Sequence, residues 1–259
     1  MKRKIKNNRK LDVAINAALA AGEIHREHFG KKYRVIRKSP REMVSEVDME
    51  SQSAITEILK SKFPDYGIVT EEERLSEVKS GKNWIIDPID GTHNYIAGLP
   101  FSGVSIGLVE DDCFYLGVIY FHAEDELFYG VKGEGAFCND EPISVSENDN
   151  LSKSIINYDN QFYLSERSFE NYKTLTEKAF TTRIFGTATR DLCLTASGKI
   201  DGRIWNNTKI CDIAAGIVIL TEAGGKITNF DGRLCSINSH QVVASNGKVH
   251  DELLTIFKG

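Results

Sequence analysis

The chain has 259 residues, of which 41% are hydrophobic and 27% are charged, and its formal net charge is -5. These values are typical of a folded globular protein and argue against a nucleic-acid binder that relies on a broad basic surface. No apolar run reaches the roughly 18 residues that a membrane-spanning helix needs, and the five scattered cysteines favour reduced thiols over disulfides or a zinc site. We therefore expect a cytoplasmic protein without a membrane partner.

The first ten residues are basic and lack the apolar segment of a secretory signal. They predict a flexible, solvated terminus at residues 1–10, although such charges could also contact RNA or an anionic membrane surface. Residues 11–259 are then expected to form a single domain.

The spacing of apolar residues predicts helices and strands in mixed order. Three- and four-residue steps predict helices over residues 11–29 and 49–62, the second with Asp48 as its N-cap. The middle of the chain predicts antiparallel strands at 84–86, 102–109, 114–121 and 126–129. Strands in the second half are predicted at 154–158, 183–185, 201–205, 226–230 and 241–245. Helices there are predicted at 165–180, 188–197, 212–222 and 249–257. This mixture predicts an α/β or α+β fold with layered sheets.

The segment from Trp84 to Thr92 carries the sharpest chemical pattern. It reads Trp-Ile-Ile-Asp-Pro-Ile-Asp-Gly-Thr, so Asp87 and Asp90 follow directly after a predicted strand. Glycine lets the backbone approach a ligand closely, and the N–H groups of Gly91 and Thr92 could bind an oxyanion. Carboxylate, carbonyl and hydroxyl oxygens are the ligands that Mg²⁺ prefers. The segment indicates a site for magnesium and an oxyanion or, taken alone, only an Asx-type turn.

Further acids stand where such a site could use them. Glu71 follows the apolar pair Ile68-Val69 and begins a run of three glutamates, which could equally be a solvated acidic patch. Asp212 opens a predicted helix, whose N-terminal N–H groups favour anions such as phosphate. Considered by themselves, Asp48 and Asp212 could also be plain N-caps.

Four segments, in the same order, resemble the inositol monophosphatase family of lithium-sensitive, magnesium-dependent phosphatases. Residues 84–95 resemble the first signature of the family, and residues 211–225 resemble the second. Residues 44–48 and 68–72 are similar to two shorter family segments. The resemblance implies a layered αβαβα sandwich of the sugar-phosphatase type. It also implies one catalytic domain with a metal-binding half at 11–149 and a substrate-binding half at 150–259.

The resemblance further implies roles for individual residues. Two to three Mg²⁺ ions would be held by Glu71, Asp87, the carbonyl of Ile89, Asp90 and Asp212. The attacking water would be oriented by Asp48, Glu71 and Thr92. The phosphate and the rest of the substrate would be bound by Gly91, Thr92, Gly186, Thr187 and Ala188.

The implied activity is hydrolysis of a small phosphorylated metabolite, inositol monophosphate or a related sugar phosphate, by a metal-activated water. Within the family, fructose-1,6-bisphosphatase, histidinol-phosphatase and 3′(2′),5′-bisphosphate nucleotidase activities are alternatives. Trp205 stands where inositol-specific members carry a Glu that contacts sugar hydroxyls, so the substrate stays open. The resemblance also implies a homodimer and inhibition by lithium.

A second class of function is compatible with the same pattern. The chain could be a regulatory, RNA-associated binding protein that keeps the fold but is catalytically weak, and the basic residues 1–10 support this alternative. The chain retains every carboxylate that the resemblance requires, which favours an enzyme: Asp48, Glu71, Asp87, Asp90 and Asp212. We therefore expect a small phosphorylated metabolite as the ligand, and no nucleic acid.

Overall fold

The computed structural model describes residues 5, 7–70 and 81–258. Seven α-helices lie within these residues: α1 Arg9–His28, α2 Glu46–Lys62, α3 Thr92–Ile96, α4 Glu166–Lys178, α5 Ala188–Ala196, α6 Ile210–Glu222 and α7 His250–Phe257. The strands of the first half are β1 Val35–Ser39, β2 Glu42–Ser45, β3 Gly67–Val69, β4 Lys82–Asp90, β5 Gly103–Glu110, β6 Cys113–Phe121, β7 Glu126–Val131, β8 Gly135–Cys138 and β9 Glu141–Pro142. Those of the second half are β10 Ile155–Asn157, β11 Thr181–Arg183, β12 Gly202–Trp205, β13 Lys226–Asn229 and β14 Val242–Ser245.

Helix layers alternate with two large sheets. The described part of the first sheet has seven strands in the order β3-β4-β5-β6-β7-β8-β9, and it is antiparallel except for the pair β3–β4. The second sheet, over the same described residues, has five strands in the order β11-β10-β12-β14-β13. Helices α1 and α2 cover the outer face of the first sheet, α5 and α6 fill the space between the sheets, and α4 and α7 cover the outer face of the second. The predicted αβαβα sandwich is confirmed.

Helix α1 is anchored by an apolar stripe, as its spacing predicts. Leu11, Ile15 and His25 lie on the buried face, and the Asn8 side chain accepts a hydrogen bond from the N–H of Leu11 at 3.1 Å. This N-cap starts the helix at Arg9, two residues before the predicted start. The division of the chain at residue 10 and into two halves stays a prediction. No helix of the described chain is long and apolar enough to cross a membrane.

Strand β4 carries the acidic motif. Trp84 and Ile86 face the helices α1 and α2, whereas Ile85 faces the core between the sheets, so the strand is buried on both sides. The sequence predicted a strand that ends at Ile86. In the structure the strand continues through Asp90. An irregularity in its pairing with β5 lies between these two acids, which is where a proline can be accommodated.

Helix α6 lies very close to the first sheet. A Cβ atom added to Gly117 on β6 would lie 2.1 Å from the carbonyl oxygen of Ala215. No larger residue fits there unless the helix moves, because real Cβ contacts of that length do not occur. The contact between the backbones sets the height of α6 above the sheet, and with it the position of Asp212 in the first turn.

Two predicted N-caps are wrong, because both acids lie at the third helical position. Helix α2 begins at Glu46, and the carboxylate of Asp48 accepts the N–H of Ser45 at 2.7 Å. Helix α6 follows Lys209 in the same way, and the carboxylate of Asp212 accepts the N–H of Lys209 at 3.1 Å. An acid at the third position satisfies an unpaired N–H group at the helix start as well as a capping residue does, so the sequence pattern alone does not separate the two.

Candidate active site

A pocket of about 250 Å³ opens at the end of β4. Its walls come from four separate segments: the hairpin β1–β2, the turn between β4 and α3, the loop before α5 and the first turn of α6. Among the predicted site residues, those that line it are Asp87, Ile89, Asp90, Gly91, Thr92, Gly186 and Asp212. An adjoining pocket of about 170 Å³ shares Asp90, Gly186 and Asp212 and is also lined by Thr187, Ala188 and Trp205. Glu71 falls in 71–80, outside the described residues.

Asp90 is held by the start of helix α5. Its Oδ1 accepts the N–H of Ala188 at 3.1 Å, and its Oδ2 accepts the N–H of Thr189 at 3.0 Å. The hydroxyls of Thr187 and Thr189 also donate to Oδ2, the latter at 2.6 Å. Only 7% of Asp90 is exposed. The carboxylate is thus fixed in one orientation by two backbone and two hydroxyl donors, which joins the first signature to the second half of the chain.

Gly91 makes the turn that presents the following residues to the pocket. Its φ is +80°, and a Cβ at this position would lie 2.5 Å from the carbonyl oxygen of Phe101. Both the left-handed backbone and the close contact require glycine. The turn is also tied to the loop before α5, because the amide of Asn94 donates to the carbonyl oxygens of Phe101 at 2.9 Å and Phe185 at 2.8 Å.

Thr92 connects the turn to the start of helix α2. Its hydroxyl oxygen lies 3.2 Å from Oδ1 of Asp48 and 2.9 Å from the carbonyl oxygen of Ile89. A hydroxyl has one proton, so Thr92 can donate to only one of these acceptors at a time. Burial raises the pKa of Asp48, although hydrogen bonds from Ser45 and Thr92 oppose this rise.

The remaining acids also have partners. Oδ1 of Asp87 accepts the N–H of Ile89 at 3.1 Å, and this acid is 4% exposed. Oδ2 of Asp212 lies within hydrogen-bond distance of the hydroxyl of Thr208, at 3.2 Å. Each of these acids thus accepts at least one hydrogen bond from a residue close to it in the chain.

The donor set has the chemistry of a magnesium site. Carboxylates of Asp87, Asp90 and Asp212 and the carbonyl of Ile89 are hard oxygen ligands, which suit Mg²⁺ better than zinc or copper. Among the described residues, no three His, Cys, Asp or Glu side chains form a group close enough to hold a metal ion. The oxygens that line the pocket fit the ion chemically, and a complete coordination shell needs further ligands.

A buried ion pair supports the floor of the adjoining pocket. Arg203 and Asp191 are 3.1 Å apart, and the guanidinium also donates to the carbonyl oxygen of Tyr158 and lies 4.9 Å from the ring centroid of Trp205. Burial raises the pKa of Asp191 to about 6 despite the opposing effect of Arg203. Trp205 is 3% exposed, so it presents little more than an edge to the pocket.

Three residues stand out among those at the site that were not predicted. Thr189 lies one residue beyond the predicted segment and donates to Asp90, Asn94 lies inside the first signature, and Arg41 lines the pocket from the hairpin β1–β2. Asn94 and Thr189 stand within or beside segments that the sequence singled out, so motif position was an available signal for both. Arg41 had no such signal, because its hairpin is exposed and has no apolar alternation.

Comparisons with known proteins identify the family of this chain. The model of the inositol monophosphatase family matches residues 7–258. A protein of Aquifex aeolicus named fructose-1,6-bisphosphatase/inositol-1-monophosphatase is 37% identical over 254 residues, which cover 96% of this chain and 95% of that protein. A protein of Pasteurella multocida named Nus factor SuhB is 34% identical, over 95% of each chain.

A solved structure has the same fold throughout. The crystal structure of the extragenic suppressor protein SuhB from Bartonella henselae superposes with a TM-score of 0.92 at 31% identity, and the match covers 97% of this chain and 99% of that one. The order of the motifs, the layered fold and these matches lead to one conclusion: the chain belongs to the inositol monophosphatase family.

Proposed function

We propose that this phosphoric monoester hydrolase removes phosphate from a small phosphorylated metabolite, an inositol monophosphate or a related sugar phosphate. The observation that supports this most directly is the convergence of Asp87, Asp90, Thr92 and Asp212 on one pocket. Two separate stretches of the chain supply these groups, β4 with the turn after it and the first turn of α6, and the fold brings them together at the end of β4. Family membership supports the reaction class, whereas the exact substrate is part of the proposal.

Mg²⁺ fits the oxygen donors of the pocket, and the family is metal-dependent. We propose Asp87, Asp90, Asp212 and the Ile89 carbonyl as ligands, together with Glu71, and an occupancy of two to three ions. When bound, the ions activate the attacking water and offset the negative charge of the phosphoryl group. Asp90 contributes a carboxylate whose orientation is already fixed by its four donors.

The proposed nucleophile is a water held by Thr92, Asp48 and Glu71. When the Thr92 hydroxyl donates to Oδ1 of Asp48, its lone pairs face away from that carboxylate and can accept a proton from the water. The raised pKa of Asp48 suits a group that shares a proton with its neighbour. Water attacks phosphorus, the bond from phosphorus to the substrate oxygen breaks, and that oxygen leaves with a proton as the alcohol.

The phosphate and the rest of the substrate are proposed to bind on two sides of this water. The backbone N–H groups of Gly91 and Thr92 lie in the tight turn and suit the phosphate oxygens. Gly186, Thr187 and Ala188 line the adjoining pocket, where the sugar would lie. Substrate binding at this point would exclude bulk water from the reacting groups.

A substrate panel tests the proposal. Phosphate release is measured with inositol 1-phosphate, fructose 1,6-bisphosphate, histidinol phosphate and 3′-phosphoadenosine 5′-phosphate, first with Mg²⁺ and then with EDTA. We expect release from at least one of these compounds, and its loss with the chelator. Release that survives chelation would reject the metal-dependent mechanism.

A regulatory function is the second candidate, because relatives at 34–35% identity carry the name Nus factor SuhB. The same panel separates the two candidates. A folded protein that releases no phosphate from any compound, but binds RNA through residues 1–10, would favour the regulatory function. A truncation of those ten residues is the matched control for the RNA measurement.

Two further properties are proposed from family membership alone. We expect lithium to inhibit phosphate release in the micromolar-to-millimolar range, and we expect a homodimer in solution. A lithium titration and sedimentation equilibrium measure them directly. Phosphate release that is insensitive to lithium would reject the proposed inhibition, and a monomer would reject the proposed dimer. Neither result would affect the reaction class.

A further inference from the structure

A second cavity, of about 380 Å³, lies at the C-terminal end of helix α6. The last turns of this helix, the start of β6 and strand β13 form its walls, and its apolar lining is Phe114, Ile217, Val218, Ile227 and Leu234. Asp212 stands in the first turn of the helix, and Thr221 lines the cavity nine residues later, which corresponds to about 13 Å along the axis. The cavity is therefore separate from the active site.

A cysteine and a lysine meet at this cavity. Cys113 is the first residue of β6, Lys132 follows β7, and both side chains line the cavity. The Nζ atom of Lys132 lies 2.8 Å from the Sγ atom of Cys113. This hydrogen bond raises the pKa of Lys132, so the lysine is a charged ammonium at neutral pH. The partly exposed sulfur of Cys113 thus lies directly beside a positive charge.

The turn that carries Lys132 is anchored on both sides. The carboxylate of Glu222, at the end of α6, accepts the N–H groups of Gly133 at 2.8 Å and Gly135 at 2.9 Å. The N–H of Lys132 itself donates to the carbonyl oxygen of Tyr115, at 2.9 Å. These bonds fix the backbone of Lys132 relative to β6, the strand that begins with Cys113.

The other four cysteines have different surroundings. Cys193 and Cys211 are buried. Burial raises the pKa of Cys138 to about 11 and that of Cys235 to about 12. The thiolate is the reactive form of cysteine, and reactive cysteines lie in partly exposed positions beside a cation, whereas buried ones are inert. Of the five thiols, Cys113 is the one that has the surroundings of a nucleophile.

The apolar walls favour a particular kind of reaction partner. A volume of 380 Å³ falls within the range of about 300–1,000 Å³ that is usual for small-molecule sites. Leu234, in the wall, is 84% exposed, so an occupant that covers it removes apolar surface from water. An alkyl chain in the cavity makes this contact while a reactive group at its end reaches the sulfur of Cys113.

We propose that Cys113 is a covalent modification site for carbon electrophiles that carry an apolar chain, with α,β-unsaturated aldehydes as the chemical class. The sulfur attacks the β-carbon and forms a C–S bond, and the electron pair of the C=C bond moves to the α-carbon. The α-carbon takes up one proton in place of the proton that the thiol lost, so nothing leaves and no oxidant is needed. Lys132 stabilises the negative charge on the sulfur before the attack. This inference is independent of the proposed phosphatase function.

Labelling rates with N-methylmaleimide and N-hexylmaleimide test the site on the full-length, folded protein. Peptide mass spectrometry assigns the label to each cysteine over time. We expect Cys113 to react at least about tenfold faster than any other cysteine, because the others are buried. We also expect the hexyl reagent to react at least about tenfold faster than the methyl reagent at Cys113, relative to the same ratio for free glutathione, because its chain is buried in the cavity.

Two variants separate the charge from the apolar wall. Lys132→Met should lower the rate with both reagents about tenfold, the effect of one charge at this distance in water, and leave the ratio of hexyl to methyl rates unchanged. Leu234→Ser should lower that ratio and leave the rate with the methyl reagent within about twofold of wild type. Thermal unfolding verifies that both variants are folded.

Lys226→Met is the matched control for Lys132→Met. Lys226 lines the same cavity, but its ammonium pairs with Asp251 at 2.9 Å. We expect its removal to leave the rate at Cys113 within about twofold of wild type, because its charge is paired and exposed to solvent. Equal effects of the two lysine variants, equal labelling of Cys113 and Cys235, or a rate at Cys113 that does not depend on chain length would each overturn the inference.

An aldehyde of the proposed class completes the test. Incubation with trans-2-nonenal, followed by borohydride reduction, should give one adduct per chain, located on Cys113 by peptide mass spectrometry and absent from Cys113→Ser. Adducts that form only on other residues would overturn the inference. Phosphate release is not part of any of these measurements, so their failure is distinguishable from a failure of the proposed function.

Discussion

Two buried polar regions lie beside the end of β4, and they are built in opposite ways. On the α5 side, Asp90 accepts hydrogen bonds from two N–H groups and two hydroxyls. On the α1 side, His25 and His122 pack with their ring centroids 5.3 Å apart, and within the described chain none of their ring nitrogens has a hydrogen-bond partner. Both regions are almost fully buried.

The difference shows that burial has opposite consequences for an imidazole without hydrogen-bond partners and for a carboxylate that accepts several hydrogen bonds. Burial disfavours the charged form of an imidazole, and with smaller contributions from neighbouring basic groups it lowers the pKa of His25 to about 3 and that of His122 to about 4. These rings are neutral near pH 7 and fill space next to Tyr95. The donors around Asp90 instead compensate the loss of water and fix its direction, which suits a ligand. Of the two regions, only the one around Asp90 holds a charged group in an orientation that suits metal binding.

The largest effect is expected when the fixed carboxylate itself is altered. Asp90→Asn replaces one acceptor oxygen by an amide that cannot accept the N–H of Thr189, and it removes the charge proposed to bind the metal. We expect kcat/KM to fall by several orders of magnitude while the fold is retained. Phosphate release and thermal unfolding measure the two properties.

Asp65→Asn is the control for this change, because Asp65 is an exposed acid in the turn after α2. It should leave the rate unchanged. A near-normal rate for Asp90→Asn would remove Asp90 from the site.

A smaller effect is expected when a donor to the carboxylate is lost. Thr189→Val keeps the shape of the side chain but removes the hydroxyl that lies 2.6 Å from Asp90. Loss of a partner that orients a metal ligand typically costs about 10- to 100-fold in activity, so we expect kcat to fall within that range. The magnesium concentration needed for half-maximal rate should rise in parallel.

Thr195→Val separates orientation from simple burial. Thr195 lies on the same helix and is equally buried, but its hydroxyl donates to the carbonyl oxygen of Asp191. We expect this variant to lose about 1 kcal/mol of unfolding free energy and no activity. If both threonine variants lose activity equally, the donor to Asp90 has no special role.

The smallest effect concerns the histidine pair and appears in stability. In the unfolded chain both imidazoles take up protons as the pH falls through their ordinary pKa of 6.5, whereas in the folded chain they do so only near 4 and 3. The unfolded state therefore binds more protons in this window, and stability falls as the pH is lowered below 6.5. Each imidazole contributes up to about 1.4 kcal/mol per pH unit.

Urea unfolding at several pH values between 4.5 and about 7 measures this dependence. His122→Phe should reduce the slope of unfolding free energy against pH by the contribution of one imidazole. His25→Phe should reduce it by the same amount. His250, whose pKa burial also lowers to about 4, contributes equally to all variants and cancels in the difference. An unchanged slope in both variants would show that the pair is not the source.

The sequence predicted the features that depend on local patterns of residues. Strand β4, its acids and the layered fold follow from apolar periodicity and from the order of the motifs. The contacts of Asp90 did not follow, because Thr189 is about 100 residues away and only the packing of α5 against β4 brings it near. The pairing of His25 with His122 was not visible for the same reason.

Local rules also had limits. The strand predicted at residues 84–86 ends before Pro88, but β4 continues through the proline because the irregular pairing with β5 accommodates it. The hairpin β1–β2 was not predicted, because β1 is exposed at four of its five positions and β2 has only four residues, without an apolar alternation. The fold nevertheless places Arg41 of this hairpin at the active-site pocket.

The glycine contact between α6 and the first sheet has a consequence for how such an enzyme can be redesigned. The distance of Asp212 from β4 is set by main chain touching main chain at Gly117, with no side chain in between. Gly107 on β5 makes a similar approach, since a Cβ there would lie 3.0 Å from the backbone nitrogen of Ala215. Libraries that vary the substrate-facing loops can therefore be built on this scaffold, provided that glycine is kept at positions 107 and 117.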